Sequence, residues 1–125
     1  MLDDRTKLPD GSALEEFLIC TNSDNRLAWS ALLGDDKAGK EDVDVSPYAA
    51  AGRAIDLKGL PSTYVGVGLD LFLGESLSYV SRLAAADVEV EFHLQPGLPH
   101  GFEVAGKATL VQEALGARMR ALKRF

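Results

Sequence analysis

The apolar residues of this chain fall into blocks whose period changes from helix to strand and back. Residues 11–20 (GSALEEFLIC) carry Ser12 and, three positions later, Glu15, the arrangement of a capping box, and predict a short helix with Ser12 as N-cap. Asn25 is the expected cap of a second helix, in which Leu27, Ala28, Ala31 and Leu32 recur at helical spacing before Gly34 stops it. Residues 34–47 are polar, rich in Asp, Lys and Glu, and end at Pro47, which predicts a surface loop.

Past Pro61 the run 63–68 (TYVGVG) is β-branched, aromatic and small without a charge, the composition of a strand buried on both faces of a parallel sheet. Residues 76–86 place Leu77, Val80, Leu83 and Ala84 on one helical stripe. Val88, Val90, Phe92 and Leu94 alternate with Glu89, Glu91 and His93, a half-exposed strand. The last block, 107–123, puts Leu110, Val111, Ala114, Leu115, Met119 and Leu122 on one face of a helix. Strand, helix, strand, helix is the order of an α/β fold with parallel strands joined by a crossover. Two strands alone leave an apolar sheet edge unpaired, a liability in water, so a further segment upstream of Met1 is expected.

Composition narrows the function classes. A hydrophobic share of 46% with 26% charged residues is globular, and a chain of this length can bury about two thirds of its unfolded surface. Nineteen acidic and 13 basic side chains give a formal charge of -6, which argues against nucleic acid and against an anionic membrane surface. One cysteine, Cys20, allows no intrachain disulfide, and with no signal-like N-terminus and no apolar run of about 18 residues a cytoplasmic protein without a membrane span is expected.

Two loops follow the predicted strands and carry ionisable residues: Asp70 in 67–72 (VGLDLF) and His100 in 95–102 (QPGLPHGF). In open parallel sheets function gathers at the carboxyl ends of strands. A hydrolytic serine needs a base to take its proton and an acid to orient that base, so a carboxylate and an imidazole are the right types. On spacing alone, a loop aspartate is more often a turn former and a loop histidine a surface residue.

The wording of the loops adds to this. Pro-Gly-Leu-Pro-His-Gly-Phe at 96–102 resembles the histidine segment of the hormone-sensitive-lipase family of α/β-hydrolases, and Asp70-Leu71-Phe72 with Glu75 is similar to its acid loop. In the same order, Asn25 through Trp29 to Gly34, Val45-Ser46-Pro47-Tyr48-Ala49, Asp56 through Pro61, and Leu83 through Val88 resemble further family segments. The resemblance implies the C-terminal part of an eight-stranded, mostly parallel sheet with flanking helices, a single partial domain over 1–125 that acts on small carboxylic esters with no metal or organic cofactor. It implies Asp70 as the triad acid and His100 as the general base, with Gly101 and Phe102 shaping the loop. Two departures stand out: the loop between strand and acid is one residue shorter than usual, and Leu73-Gly74 replaces the family's Arg-Asp.

A larger departure is that no serine here has Gly-x-Ser-x-Gly flanking, and no His-Gly-Gly-type oxyanion loop is present. Both are expected in a nucleophile-bearing N-terminal half, and the chain by itself is expected to be inactive. The rival class is a non-catalytic binding or scaffolding module, and the resemblance makes a homo-oligomer plausible. Other motifs carry less. Residues 34–40 (GDDKAGK) match most of a phosphate loop, but Glu41 stands where Ser or Thr is required and two aspartates repel phosphate. Cys20 ends an apolar run and is expected as packing. His93 and His100 lack the cysteine or further histidine of a metal site. Trp29 and Tyr48 are expected to pack rather than to contact substrate.

Overall fold

A computed structural model describes residues 1–124. Its regular elements are α1 (Asn22–Leu33), β1 (Thr63–Val67), α2 (Leu73–Ala85), β2 (Val90–Leu94) and α3 (Thr109–Arg124), with 3-10 turns at Glu15–Phe17, Ala51–Arg53 and Phe102–Ala105. β1 and β2 pair in parallel, Thr63 opposite Val90 and Val67 opposite Leu94, with α2 as the connection between them. This is a partial α/β fold, and its two C-terminal strand ends lie side by side.

Two small cores hold the elements. Leu57, Leu83 and Val88 are buried together, with Ala54, Tyr79, Ala86 and Val90 packed on them, which joins α2 to the approach of β2. Asp87 turns the chain there at φ 59, and the N–H of Val88 closes onto the carbonyl of Leu83 at 3.1 Å. Trp29, Val45 and Ala50 form the second core, between α1 and the loop after it. Trp29 therefore packs as expected, whereas Tyr48 is fully exposed and packs against nothing.

Four further expectations are corrected. Residues 11–20 do not form a helix, only the single turn Glu15–Phe17. Phe17 and Ile19 stay exposed, and so short a segment has no buried face to offset the cost of nucleating a helix. Asn25 does not cap α1. Thr21 does, its hydroxyl accepting the N–H of Asp24 at 3.2 Å while the Asp24 carboxylate accepts the N–H of Thr21 at 3.0 Å. Asn25 is instead buried one turn into the helix, its amide donating to the carbonyl of Thr6 at 2.8 Å. β1 is only half-buried and Gly66 is exposed, because among the described residues β2 flanks it on one side only. α3 buries its small residues Val111, Ala114, Ala117 and Ala121, while Leu110, Met119 and Leu122 face outward.

The N-terminal segment is clamped by two buried carboxylates. Glu75, in the first turn of α2, accepts the N–H of Leu2 at 2.7 Å, the N–H of Asp3 at 2.9 Å and the hydroxyl of Thr6 at 2.6 Å. Asp4 pairs with Arg53 at 2.6 and 2.8 Å and accepts the N–H of Gly39 at 2.7 Å. Among the described residues, no helix is long and apolar enough to cross a membrane.

Candidate active site

Parallel pairing puts the last residues of β1 and β2, Val67 and Leu94, at the same end of the sheet. The ladder runs on for one more bond, Gln95 N–H to the Val67 carbonyl at 2.8 Å, and the two following loops stay in contact through Leu69 N–H to the Leu98 carbonyl at 2.7 Å. Asp70 and His100 project from these loops, and Nδ1 of His100 lies 3.3 Å from Oδ2 of Asp70. Thirty positions separate them in the chain, so the contact is made by the paired strand ends together with the backbone contact between the two loops.

Local structure fixes each partner. Asp70 is buried, and its Oδ1 accepts the N–H of Phe72 at 2.6 Å, which holds the carboxylate across the turn that leads into α2. The shortened loop and the Leu73-Gly74 departure therefore leave the carboxylate within reach of the imidazole. His100 is followed by Gly101 at φ 70, a left-handed conformation that glycine adopts at no steric cost. The N–H of Phe102 then closes onto the carbonyl of Pro99 at 3.2 Å. The ring of Phe72 meets the imidazole edge-on at 5.2 Å.

An Nδ1–H held by a carboxylate leaves Nε2 as the basic nitrogen, the tautomer that a general base needs. The imidazole is 45% exposed beside a 9% exposed carboxylate, so a proton can reach Nε2 while the acid stays shielded. A cavity of about 330 Å³ opens beside the pair, walled in part by Met1, Gly66, Ser76, Glu103 and Arg118. Other hollows are larger, two of them above 500 Å³. One of about 580 Å³ follows the open edge of β1 between Tyr79 of α2 and Leu122 of α3. The other, about 520 Å³, lies against Trp29 and the N-terminal segment, where Arg5 is tied to Asp3 and Glu41 and Asp4 to Arg53. Neither touches Asp70 or His100, which line the smaller cavity.

The other candidates separate from this pair. His93 is held on β2 by Glu91 at 2.8 Å and stacks on Tyr64 at 5.3 Å, so the two histidines do not share a site. Among the described residues no group of three or more His, Cys, Asp or Glu side chains could hold a metal ion. Cys20 lies in a bend before α1, half-buried; burial, then the charges of Asp24 and Asp70, push its thiol up, which disfavours the nucleophilic thiolate. Residues 34–40 form turns with no strand before them.

Sequence reasoning gave no structural part to four residues around the pair. Gly68 carries the close approach between the two loops, Glu75 ties the first turn of α2 to the N-terminal segment, and Glu103 and Arg118 line the cavity beside His100. Only Glu75 had left a trace, as a register match in the acid loop.

Comparison with known proteins gives this geometry a family. The chain is 39% identical over 87 residues to esterase LipI of Mycobacterium tuberculosis, a match covering 68% of this chain and 27% of that protein. Among solved structures, a bacterial heroin esterase superposes with a TM-score of 0.85 at 34% identity, over 99% of this chain and 39% of the other. Esterase LipW from Mycobacterium marinum superposes at 0.78 with 30% identity, over 98% and 37%. This chain thus spans well under half the length of the relatives it matches. A family model described as alpha/beta hydrolase fold matches residues 1–104, and the chain belongs to that family.

Proposed function

We propose that this chain supplies the acid and base of a serine carboxylic-ester hydrolase, as one partial domain that a nucleophile-bearing N-terminal half completes. Asp70 orients His100 through Nδ1 and stabilises the imidazolium; His100 Nε2 is the general base. A serine brought to Nε2 loses its proton as its Oγ attacks the ester carbonyl. The imidazolium then passes that proton to the leaving alkoxide, which departs as the alcohol. Water repeats the sequence on the acyl-enzyme and releases the carboxylic acid. No step needs a metal or an organic cofactor.

The observation that carries this reading is the 3.3 Å contact between His100 Nδ1 and Asp70 Oδ2 at the paired carboxyl ends of β1 and β2. The relatives named as esterases support ester hydrolysis as the reaction type and small-molecule esters as the substrate class. None of the chain's serines lies in Gly-x-Ser-x-Gly, so the nucleophile and oxyanion donors come from outside these 125 residues. The test compares the 125-residue chain with the same chain joined to a segment bearing Gly-x-Ser-x-Gly and His-Gly-Gly motifs, on short-chain p-nitrophenyl esters. Turnover by the joined protein and none by the chain alone is the expected result. No turnover by a folded joined protein supports a binding or scaffolding role instead.

A further inference from the structure

Two residues meet the imidazole of His100. Oδ2 of Asp70 lies 3.3 Å from Nδ1, and the ring of Phe72 stands 5.2 Å away, centroid to centroid, with the two planes at 61°. That distance and angle are those of an attractive edge-to-face aromatic contact. A hydrogen bond at 3.3 Å is long, and it ties the imidazole at one atom only. Held by it alone, the ring can still rock about the Nδ1···Oδ2 line, and Nε2, on the far side of the ring, moves with it.

Phe72 can stop that motion because it is itself fixed. It is 5% exposed, whereas His100 beside it is open to solvent. The turn from Asp70 closes through the N–H of Leu73 onto the Asp70 carbonyl at 3.3 Å, and the Phe72 carbonyl accepts the N–H of Ser76 at 3.0 Å as α2 begins. The Phe72 N–H is bound by Oδ1 of Asp70 at 2.6 Å. One residue thus touches both members of the pair, the acid through its backbone and the base through its ring.

We propose that Phe72 is a positioning residue for His100: its ring limits the rocking that the bond to Asp70 leaves open, and so fixes the direction in which Nε2 presents its lone pair. The proposal rests on His100 as the general base. It assigns a role to the ring alone, because the N–H that holds Asp70 belongs to the backbone. A base that takes a proton from a hydroxyl and hands it to a leaving group needs its nitrogen within hydrogen-bond reach of both. Asp70 sets the tautomer and Phe72 the aim. A buried phenylalanine that only filled space would stabilise the fold and leave both properties alone.

The test is Phe72→Leu, which removes the ring and keeps both the backbone N–H and an apolar side chain. In the chain joined to a segment bearing Gly-x-Ser-x-Gly and His-Gly-Gly motifs, kcat on a short-chain p-nitrophenyl ester is expected to fall about tenfold with KM little changed, the mark of a misaimed base rather than a lost binding contact. In the 125-residue chain, the ring-nitrogen NMR shifts of His100, read where the imidazole is neutral, should show the Nδ1–H tautomer in the parent and a smaller share of it in Phe72→Leu. His93, held by Glu91 and stacked on Tyr64, is the internal control and should not change. Phe72→Met repeats both measurements if the leucine variant does not unfold cooperatively in urea. A folded variant whose kcat or whose His100 tautomer matches the parent overturns this proposal and leaves the Asp70–His100 pair in place. A parent whose turnover survives His100→Ala, or whose His100 tautomer is indifferent to Asp70→Asn, overturns the reading beneath it.

Discussion

The carbonyl of Leu98 occupies the place that a side chain on Gly68 would need: a Cβ built there would stand 2.0 Å from that oxygen. The same carbonyl accepts the N–H of Leu69 at 2.7 Å. Two backbones are thus in direct contact, one residue before the Asp70 turn on one side and two residues before His100 on the other. This approach sets the separation of carboxylate and imidazole, and only glycine permits it.

Gly68→Ala should push the two loops apart, because the opposing atom is backbone and cannot swing aside. In the catalytically complete protein, kcat/KM for a short-chain ester is expected to fall about a hundredfold, the usual cost of a misplacement near 1 Å. Unchanged kcat/KM would show that the loop contact does not set the geometry.

Asp70→Asn keeps an acceptor for the Phe72 N–H but removes the charge beside His100. The expected loss in kcat is on the order of ten-thousandfold, as in serine hydrolases whose triad acid is neutralised, with KM little changed. Steady-state kinetics on the completed protein check both parts.

Leu83→Ala removes the side chain at the centre of the core shared by Leu57, Val88 and Tyr79. Leu83 is fully buried, so the cavity should destabilise the fold by about 2 to 5 kcal/mol, measured by urea unfolding. Because this core seats α2 against the approach to β2, the loss should also shorten amide-exchange protection in both.

The Asp4–Arg53 pair gives stability a defined pH dependence. Burial alone would raise the Asp4 carboxyl, but the hydrogen bonds from Arg53 and from the Gly39 N–H outweigh it and hold the carboxyl below its ordinary value of 3.8. A group depressed on folding contributes stability above its unfolded pKa and loses it as pH falls through the folded value. Unfolding free energy should therefore be steady at neutral pH and decline as pH falls below about 4. Arg53→Met should cost about 3 to 5 kcal/mol at pH 7, since it leaves the Asp4 charge buried and unpaired, and the penalty should shrink in acid. Denaturant midpoints across pH provide the check.

Much of the fold was legible because its elements carry their own periodicity. β1, α2, β2 and α3 lie where alternation and helical stripes put them, within a few residues at the ends. What failed depended on burial. Residues 11–20 have the caps of a helix but no surface to pack on, and Asn25 looks like a cap until the carbonyl of Thr6 claims its amide. The face of α3 that seemed apolar holds its large residues outward, because close packing selects Val111 and the alanines. At the site, residue types and loop positions pointed to Asp70 and His100, but their 3.3 Å separation follows from parallel register and from the bare backbone of Gly68, which no local pattern encodes. Glu103 and Arg118 were illegible for the same reason: their pairing joins a turn to a helix fifteen residues on.

The most direct measurement is ester hydrolysis by the chain joined to a segment bearing Gly-x-Ser-x-Gly and His-Gly-Gly motifs, with and without His100→Ala. The account predicts burst-phase acyl-enzyme formation in the parent and a loss of at least a thousandfold, on the order of serine-triad deletions, in the variant. Turnover that survives His100→Ala in a folded protein would contradict it.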